Sequence, residues 1–216
     1  MLPNLNHFKT SYFNSLPSAE VAEEAASKNL LTNLTLIAPI FFKHNMQDSW
    51  GLALLHRHWD VLDGEVPVQE EYIAGEFKRY ITSPKKSGYN KEAWPYLMAL
   101  TSFLDHKIQP LEFATSSTTQ TRYNELSAKQ DFIDELCDIL SNNDLLNTFG
   151  IVQAKDTVAG YELIEDTSEG RISIISAIPT EESKKEKLIK TSWFFSADVN
   201  GMQCTHHSCR NCPWPL

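Results

Sequence analysis

The sequence predicts an α+β fold in which helices pack on a largely antiparallel sheet within a single domain. Two observations support this prediction. Apolar residues recur at helical spacing in two segments of the first two thirds of the chain, whereas from Phe149 onward the pattern changes to short β segments separated by glycine or proline. The length of 216 residues, with 42% hydrophobic content, is enough for one core that folds without disulfides or a metal.

The first part of the chain is predicted to contain an arm, a helix and a strand. Residues 1–17, which are rich in Asn, Ser and aromatic residues, form an N-terminal arm, and the globular domain spans residues 18–216. Ser18 is a suitable N-cap for a helix, and Pro39 should end or kink the segment that follows this helix. Residues 50–61 alternate in the manner of a strand.

The remainder is predicted to contain one helix followed by several strands. The helix is expected at about residues 126–140, because their apolar side chains form one stripe. Cys137 lies on this stripe and is interpreted as a core residue. No internal repeat is evident in the sequence. The strands after this helix are expected at residues 149–153, 158–164, 171–178 and 188–197.

The charge balance and the apolar stretches restrict the partners and the compartment. Lys and Arg total 19 against 28 Asp and Glu, a net charge of −9. This balance argues against nucleic acid as a partner, because binding to a phosphate backbone needs positive surface. The N-terminus lacks the pattern of a secretory signal, and the longest apolar stretch, residues 36–42, is too short to span a bilayer. We therefore expect a cytoplasmic protein with reduced thiols and no membrane partner.

The least common local feature is a cluster of thiols and imidazoles in the C-terminal tail, residues 203–216. Cys204 and His207 form one pair with two residues between them, and Cys209 and Cys212 form another. Thiolate and imidazole together favour zinc, with iron or copper as alternatives. Since a single residue separates the pairs, two or three tail ligands plus one from elsewhere is easier geometry than four from the tail. A disulfide between Cys209 and Cys212, or thiols without a role, are the alternatives.

Two histidines on the strand predicted at residues 50–61 form a second candidate site. His56 and His58 point to the same face of the strand, so both imidazoles can bind one metal ion. Asp60 shares this face and could orient a histidine, and Asp60 or Glu65 could act with a histidine in acid–base chemistry. The alternative is a partly buried histidine pair in which His58 is hydrogen-bonded to Asp60 or Glu65.

The histidine segment resembles the metal-binding strands of two known classes. His56-x-His58 resembles the His-x-His strand of cupins, and His58-Trp59-Asp60 has the His-x-Asp form used by iron/2-oxoglutarate oxygenases. Both resemblances imply that the histidine segment binds a metal ion. The residues that complete either pattern do not follow at the expected spacing, and the regular glycine-rich strand spacing of the barrels in these classes is absent from the sequence.

A longer stretch around the same histidines resembles uncharacterised fungal proteins. In those proteins a Leu-His-Arg-His-aromatic core is followed by a Gly-Glu pair, and a tail bearing Cys and His ends the chain. Residues 51–60, Gly64 and Glu65 match this pattern here, together with the C-terminal tail. The resemblance implies a fungal source and a pairing of the two segments, but it implies no activity.

These features lead to one main functional hypothesis and two alternatives. The main hypothesis is an intracellular metal-dependent enzyme that acts on a small-molecule substrate by hydrolysis or oxygen chemistry, with the tail folded back so that its Cys or His residues meet His56 and His58. The first alternative is a non-catalytic interaction or regulatory protein whose C-terminal cluster is a structural zinc clamp. The second is a metal-free enzyme in which His56 or His58 is a general base with Asp60 or Glu65.

Overall fold

The computed structural model describes residues 4–86, 89, 91–102, 107–167, 170–198 and 201–210, with the backbone alone at 198, 201–204 and 206. A 3-10 turn at Leu5–His7 precedes the helices α1 (Thr10–Asn14), α2 (Ala19–Ser27), α3 (Leu30–Lys43), α4 (Ser117–Ser127), α5 (Gln130–Asn142) and α6 (Thr180–Ser183). The strands are β1 (Trp50–Leu54), β2 (Glu65–Ala74), β3 (Phe77–Lys86), β4 (Trp94–Leu100), β5 (Ile108–Ala114), β6 (Phe149–Gln153), β7 (Tyr161–Asp166), β8 (Ser173–Pro179), β9 (Ile189–Asp198) and β10 (Gly201–Arg210).

The strands close into one barrel, so the predicted α+β fold with helices on a sheet is wrong. Within the described residues the ten strands follow the order β1-β6-β4-β5-β2-β3-β8-β7-β10-β9, and β9 pairs with β1 to complete the circle. Neighbouring strands are antiparallel, except that β5 runs parallel to β2 and β10 runs parallel to β7. Closure removes the exposed edges that an open sheet would carry.

Strands without clear alternation explain why the sequence did not predict a barrel. The chain between Pro84 and Thr121 has no regular polar–apolar pattern, yet it forms β4 and β5. Every residue of β5 is buried, and a strand covered on both faces loses the alternation that identifies a strand in sequence. The C-terminal tail, which was interpreted as a ligand cluster, supplies β10.

The helices cover one side of the barrel and build the largest core there. Ala22 of α2, Phe41 of α3 and Phe132 of α5 are buried together with Leu52 of β1 and Ile151 of β6. Successive residues of a strand face opposite sides, so the neighbours of these strand residues face the barrel interior. The interior core contains Ala53, Tyr96, Ala114, Val152 and Phe194.

No helix in the described part of the chain is both long and apolar enough to cross a membrane.

Two features predicted from the sequence are confirmed, and two others differ from the prediction. Ser18 caps α2, because its side chain accepts a hydrogen bond from a backbone N–H of the first turn. The apolar stripe of α5 is buried, including the free thiol of Cys137. The strand predicted at residues 50–61 ends at Leu54, and Pro39 lies inside α3 rather than at its end.

The N-terminal arm predicted at residues 1–17 packs against the chain that leaves β1. Phe13 is buried with Leu55 and Trp59, on either side of the histidines. The Asn14 side chain donates a hydrogen bond to a backbone carbonyl two residues beyond Trp59 and accepts one from the N–H of the same residue. The arm therefore fixes the position of the histidine segment.

The two halves of the chain have the same topology, although no repeat is evident in the sequence. In the first half β1 is followed by the hairpin β2–β3 and the antiparallel pair β4–β5, and β5 runs parallel to β2. In the second half β6 is followed by the hairpin β7–β8 and the antiparallel pair β9–β10, and β10 runs parallel to β7. The halves meet where β1 pairs with β6 and with β9, where β4 pairs with β6, and where β3 pairs with β8. The β1–β6 register is symmetric, because Trp50 lies opposite Gln153 and Leu54 lies opposite Phe149.

A glycine follows the first aromatic residue of both β1 and β6, and a close approach requires each of them. A Cβ at Gly51 would lie 2.5 Å from the carbonyl oxygen of Trp193 on β9. A Cβ at Gly150 would overlap the carbonyl oxygen of Met98 on β4. The neighbouring strands therefore leave no room for a side chain at either position.

Candidate metal centre

His56 and His58 lie just beyond the end of β1, where the chain is held by backbone hydrogen bonds. The N–H of Leu55 donates to the carbonyl of Thr148, and the N–H of Arg57 donates to the carbonyl of Pro17. Both histidines are buried, and their ring centroids are 4.7 Å apart with the rings almost perpendicular. The expectation that the two imidazoles share one side therefore holds, although the strand itself ends earlier.

Glu165 of β7 completes a group of three possible ligands with the two histidines. The Glu165 Oε1 atom lies 3.1 Å from Nε2 of His58 and also accepts a hydrogen bond from the hydroxyl of Ser173. One ligand atom from each of His56, His58 and Glu165 lies within 4.8 Å of the other two. Among the described residues this is the group of histidine, cysteine and acidic side chains that could hold a metal ion.

His56 is oriented in the way that a metal-binding histidine requires. Its Nδ1 lies 2.8 Å from the carbonyl oxygen of Leu54, which can only accept, so Nδ1 carries the proton and Nε2 carries the lone pair. That Nε2 atom is buried and has no hydrogen-bond partner among the described residues. Burial, and secondarily the nearby His58, lower the pKa of His56 to about 4. His56 is therefore neutral at physiological pH and presents an unpaired acceptor.

His58 and Glu165 form a buried ion pair. Burial by itself lowers the pKa of His58, but the negative charge and hydrogen bond of Glu165 outweigh burial and raise it above its ordinary value. Burial by itself raises the pKa of Glu165, but the charge and hydrogen bond of His58 outweigh it and lower that pKa to about 2. A proton on His58 thus occupies the place between two of the three possible ligands.

The three residues line one pocket, called here the histidine cavity. Polar and apolar groups are mixed in its wall, as is common where a ligand is both enclosed and oriented. Its lining also includes Tyr96, Glu112, Lys155, Leu163, Ile175, Ser192 and His207.

A second hydrogen-bonded acid lies in the same cavity. The hydroxyl of Tyr96 donates to a carboxylate oxygen of Glu112, and both residues are buried. Burial and the charge of Glu165 raise the pKa of Glu112, while burial and the charge of Glu112 raise the pKa of Tyr96. Tyr96 therefore keeps its proton at neutral pH, and the pair can hold or transfer a proton next to the possible ligands.

Two of the acids singled out from the sequence lie away from this site. Asp60 has a half-exposed side chain that pairs with Arg57 at 3.2 Å. Glu65 forms an ion pair with Arg171 and accepts a hydrogen bond from the N–H of Leu62. Neither acid lines the histidine cavity, so the acid–base role expected for them has no geometric support in the described residues.

The C-terminal tail reaches the same cavity through one predicted ligand. His207 lines the histidine cavity, and its ring stacks on Phe194 with centroids 4.6 Å apart. Cys209 is buried opposite Glu165 in the β7–β10 pairing, and its sulfur belongs to a disulfide, so it is not a thiolate available to a metal. Cys204 lies on β10 with its backbone alone described, and Cys212 lies outside the described residues.

Sequence reasoning found the histidines but missed Glu165 and Lys155. A signal for Glu165 existed: it follows Leu163 by two positions, so a buried apolar residue and the acid share one face of β7. Glu112 lies between apolar residues in the sequence, and the structure places it in the cavity. Glu162 also lies between Tyr161 and apolar residues, but it accepts a hydrogen bond from the hydroxyl of Ser183.

Comparisons with known proteins give no match to this chain. No protein-family model matches the sequence, and neither a curated protein nor a solved structure matches it. The fungal source implied by the resemblance of the histidine segment therefore has no support from these comparisons. The site has to be interpreted from its own residues.

Proposed function

We propose that the protein is a metal-dependent enzyme that acts on a small molecule in the histidine cavity, with His56, His58 and Glu165 as the metal ligands. The observation that carries this proposal is the buried Nε2 of His56, which has no hydrogen-bond partner among the described residues, in a residue that groups with His58 and Glu165 as possible metal ligands. A buried acceptor without a partner costs free energy, roughly 1–3 kcal/mol. A bound metal ion would remove that cost.

The donor set restricts the metal. Two imidazoles and one carboxylate suit zinc, and the same set suits iron in oxygen-activating enzymes, with copper as a further alternative. Three protein ligands leave coordination positions open for water or substrate. When bound, the metal would supply Lewis acidity for hydrolysis or, as iron, chemistry with oxygen.

Other residues of the chain would orient the ligands and move a proton. Leu54 fixes the tautomer of His56 through its carbonyl group, as a supporting hydrogen bond does in known metal sites. Ser173 holds one oxygen of Glu165. The Tyr96–Glu112 pair lies in the same cavity and would hold or move a proton during turnover.

A metal-free acid–base enzyme is the second candidate, and the His58–Glu165 ion pair favours it. A buried imidazolium oriented by a carboxylate is a suitable general acid. In that case turnover would continue when metals are removed. The structural zinc clamp formed by the tail is not supported further, because Cys209 is part of a disulfide.

Metal titration of the purified protein tests the proposal. Chelator-treated protein should bind one equivalent of Zn²⁺ or Fe²⁺, and His56→Ala should weaken that binding at least about 100-fold, because it removes a direct ligand. His44→Ala is the matched control, since His44 also pairs with a glutamate, Glu135, at 2.8 Å but lies outside the cavity. Equal affinity in wild type and His56→Ala would overturn the site.

Turnover is tested separately from binding. Chromogenic ester and phosphodiester substrates are assayed with Zn²⁺, and oxygen uptake with small organic acids is assayed with Fe²⁺. The proposal expects activity that requires metal and is lost in His56→Ala but kept in His44→Ala. Activity that persists in chelator would instead establish the metal-free acid–base mechanism.

A further inference from the structure

Lys155 is a half-buried lysine at the position in the second half of the chain that corresponds to His56 in the first. It lies two residues beyond β6, as His56 lies two residues beyond β1. Its Nζ donates a hydrogen bond of 2.6 Å to Oε1 of Gln69. The same Nζ lies 4.5 Å from the ring centroid of Tyr80 and 4.4 Å from that of Tyr96. The amine is therefore held in one place by an amide and two aromatic faces.

Lys155 borders two cavities rather than one. It lines the histidine cavity and also a second pocket, called here the lysine cavity, whose wall includes Tyr80 and Gln153. Tyr96 likewise borders both. Lys155 and Tyr96 thus belong to the walls of both cavities, and the hydroxyl of Tyr96 is paired with Glu112.

Burial leaves part of the Lys155 side chain as the free amine near neutral pH. Burial lowers its pKa to about 8, which outweighs the carboxylates of Glu165, Glu112 and Glu71, while Arg122 lowers it further. At pH 7 the free-amine fraction of such a group is about 200-fold larger than that of an ordinary lysine. Free amine is the form that attacks carbonyl carbon.

We propose that Lys155 is a nucleophile that forms an imine with a small aldehyde or ketone entering the barrel. The Nζ lone pair forms a bond to the carbonyl carbon, and the carbonyl oxygen takes up a proton to give a carbinolamine. Loss of water then gives the carbon–nitrogen double bond, so amine plus carbonyl becomes imine plus water with no oxidant or reductant. Tyr96, backed by Glu112, is placed to protonate the departing hydroxyl group.

This inference does not rest on the metal-dependent function proposed above. Lys155 is not one of the three ligands, and imine formation needs no metal. A rival interpretation of the same geometry is an ammonium ion that binds the carboxylate of a substrate and never reacts. The two interpretations differ in whether a covalent bond can be trapped at Nζ.

Reductive trapping decides between them. Full-length wild-type protein, after chelator treatment, is incubated at pH 7 with glycolaldehyde and sodium cyanoborohydride, and modified lysines are mapped by peptide mass spectrometry over time. The proposal expects Lys155 to be labelled at least tenfold faster than the exposed Lys185 and Lys187. Labelling of Lys155 no faster than these two lysines overturns it, and an excess of acetate that protects nothing would further exclude carboxylate binding as the source of the selectivity.

Two variants connect the labelling to the geometry. Lys155→Arg keeps the positive charge and should remove the fast labelling phase while the labelling of Lys185 and Lys187 stays unchanged. Tyr96→Phe should slow imine formation several-fold at Lys155 and leave the exposed lysines unaffected. A third variant, His56→Ala, separates this proposal from the metal proposal. Fast labelling of Lys155 in His56→Ala shows that imine formation does not need the metal ligands, and the same variant should have lost metal binding.

Discussion

The segments that follow β1 and β6 occupy equivalent places in the two halves of the barrel but carry different chemistry. Both strands begin with an aromatic residue and a glycine, and they pair with each other in a symmetric register. Beyond β1 the chain supplies His56 and His58, with Glu165 opposite them. Beyond β6 it supplies Lys155, with Gln69 opposite it. The shared residues build the barrel, and the residues just past the strand ends differ in chemistry between the two halves.

The two segments also differ in how their polar atoms are satisfied. The Lys155 amine has an amide acceptor and two aromatic faces. The His56 Nε2 atom has no partner among the described residues, although the neighbouring His58 is fully engaged with Glu165. An unsatisfied acceptor beside a compensated ion pair is the more costly arrangement, so the histidine segment is the one that a ligand would stabilise.

Removal of Glu165 should have the largest effect on the unliganded protein. Glu165→Gln leaves the buried His58 without its counter-charge, and breaking a buried pair from one side costs about 3–5 kcal/mol of unfolding free energy. Urea denaturation at pH 6.5 measures this loss. The control is Glu135→Gln, which removes the half-exposed partner of His44 and should leave the urea midpoint nearly unchanged. A similar midpoint for both variants would show that the His58 pair is not buried.

Acid should destabilise the protein through His56 in a defined window. The unfolded state takes up a proton near pH 6.5, but the folded state does so only near pH 4, so stability falls as the pH drops from 6.5 to 4 by up to about 3 kcal/mol. His58 acts in the opposite direction, since its raised pKa adds stability that is present below pH 6.5 and lost at higher pH. Urea midpoints measured across this range should change less in His56→Gln than in wild type. Identical profiles would contradict the burial of a neutral His56.

The shared glycines should be sensitive to a single added carbon in both halves. Gly51→Ala and Gly150→Ala each force a Cβ against a carbonyl oxygen of a neighbouring strand and should cost about 3 kcal/mol. Gly75→Ala is the control, because its Cβ meets open space and only its positive φ of 65° is strained, which costs about 1 kcal/mol. Thermal unfolding ranks the three variants. Equal small losses at all three would contradict the close approach of the strands.

The hydroxyl of Tyr96 should make a smaller contribution that is felt at both segments. Tyr96→Phe leaves the buried carboxyl of Glu112 and the amide of Gln69 without one hydrogen-bond partner, which should cost about 2 kcal/mol. Tyr72→Phe is the control, since that exposed hydroxyl makes one long contact and its loss should lie within about 0.5 kcal/mol. Chemical denaturation separates the two expectations, and equal losses would contradict the buried network.

The sequence predicted the histidine pair because its signal is local, and it did not predict the barrel because that signal is distributed. The sequence pattern placed both histidines on one face of a strand; β1 ends at Leu54, but the two imidazoles still lie next to each other. Glu165, in contrast, meets His58 only after β7 and β10 have taken their places in the sheet. Closure itself depends on β4 and β5, whose burial on both faces removes the alternation that would have identified them.

The C-terminal tail also shows that a local sequence pattern does not predict contacts between distant strands. Its density of Cys and His residues suggested a metal site with two or three ligands from the tail, but residues 203–210 lie on β10, and a register shift between His207 and Ser208 interrupts the regular alternation of that strand. His207 lines the histidine cavity, whereas Cys209 is buried in the core that the helices cover and lies in a disulfide. Among the described tail residues that were proposed as ligands, His207 borders the histidine cavity, whereas the acid beside the histidines, Glu165, comes from β7.

A crystal structure of the protein soaked with Zn²⁺, with anomalous data collected on both sides of the zinc edge, tests the central claim most directly. The account predicts one strong anomalous peak in the histidine cavity, about 2.0–2.1 Å from Nε2 of His56 and from a ring nitrogen of His58 and about 2.0–2.2 Å from a carboxylate oxygen of Glu165. A cavity without a peak, or zinc bound at other residues while His58 still pairs with Glu165 and Nε2 of His56 stays unpaired, would contradict it.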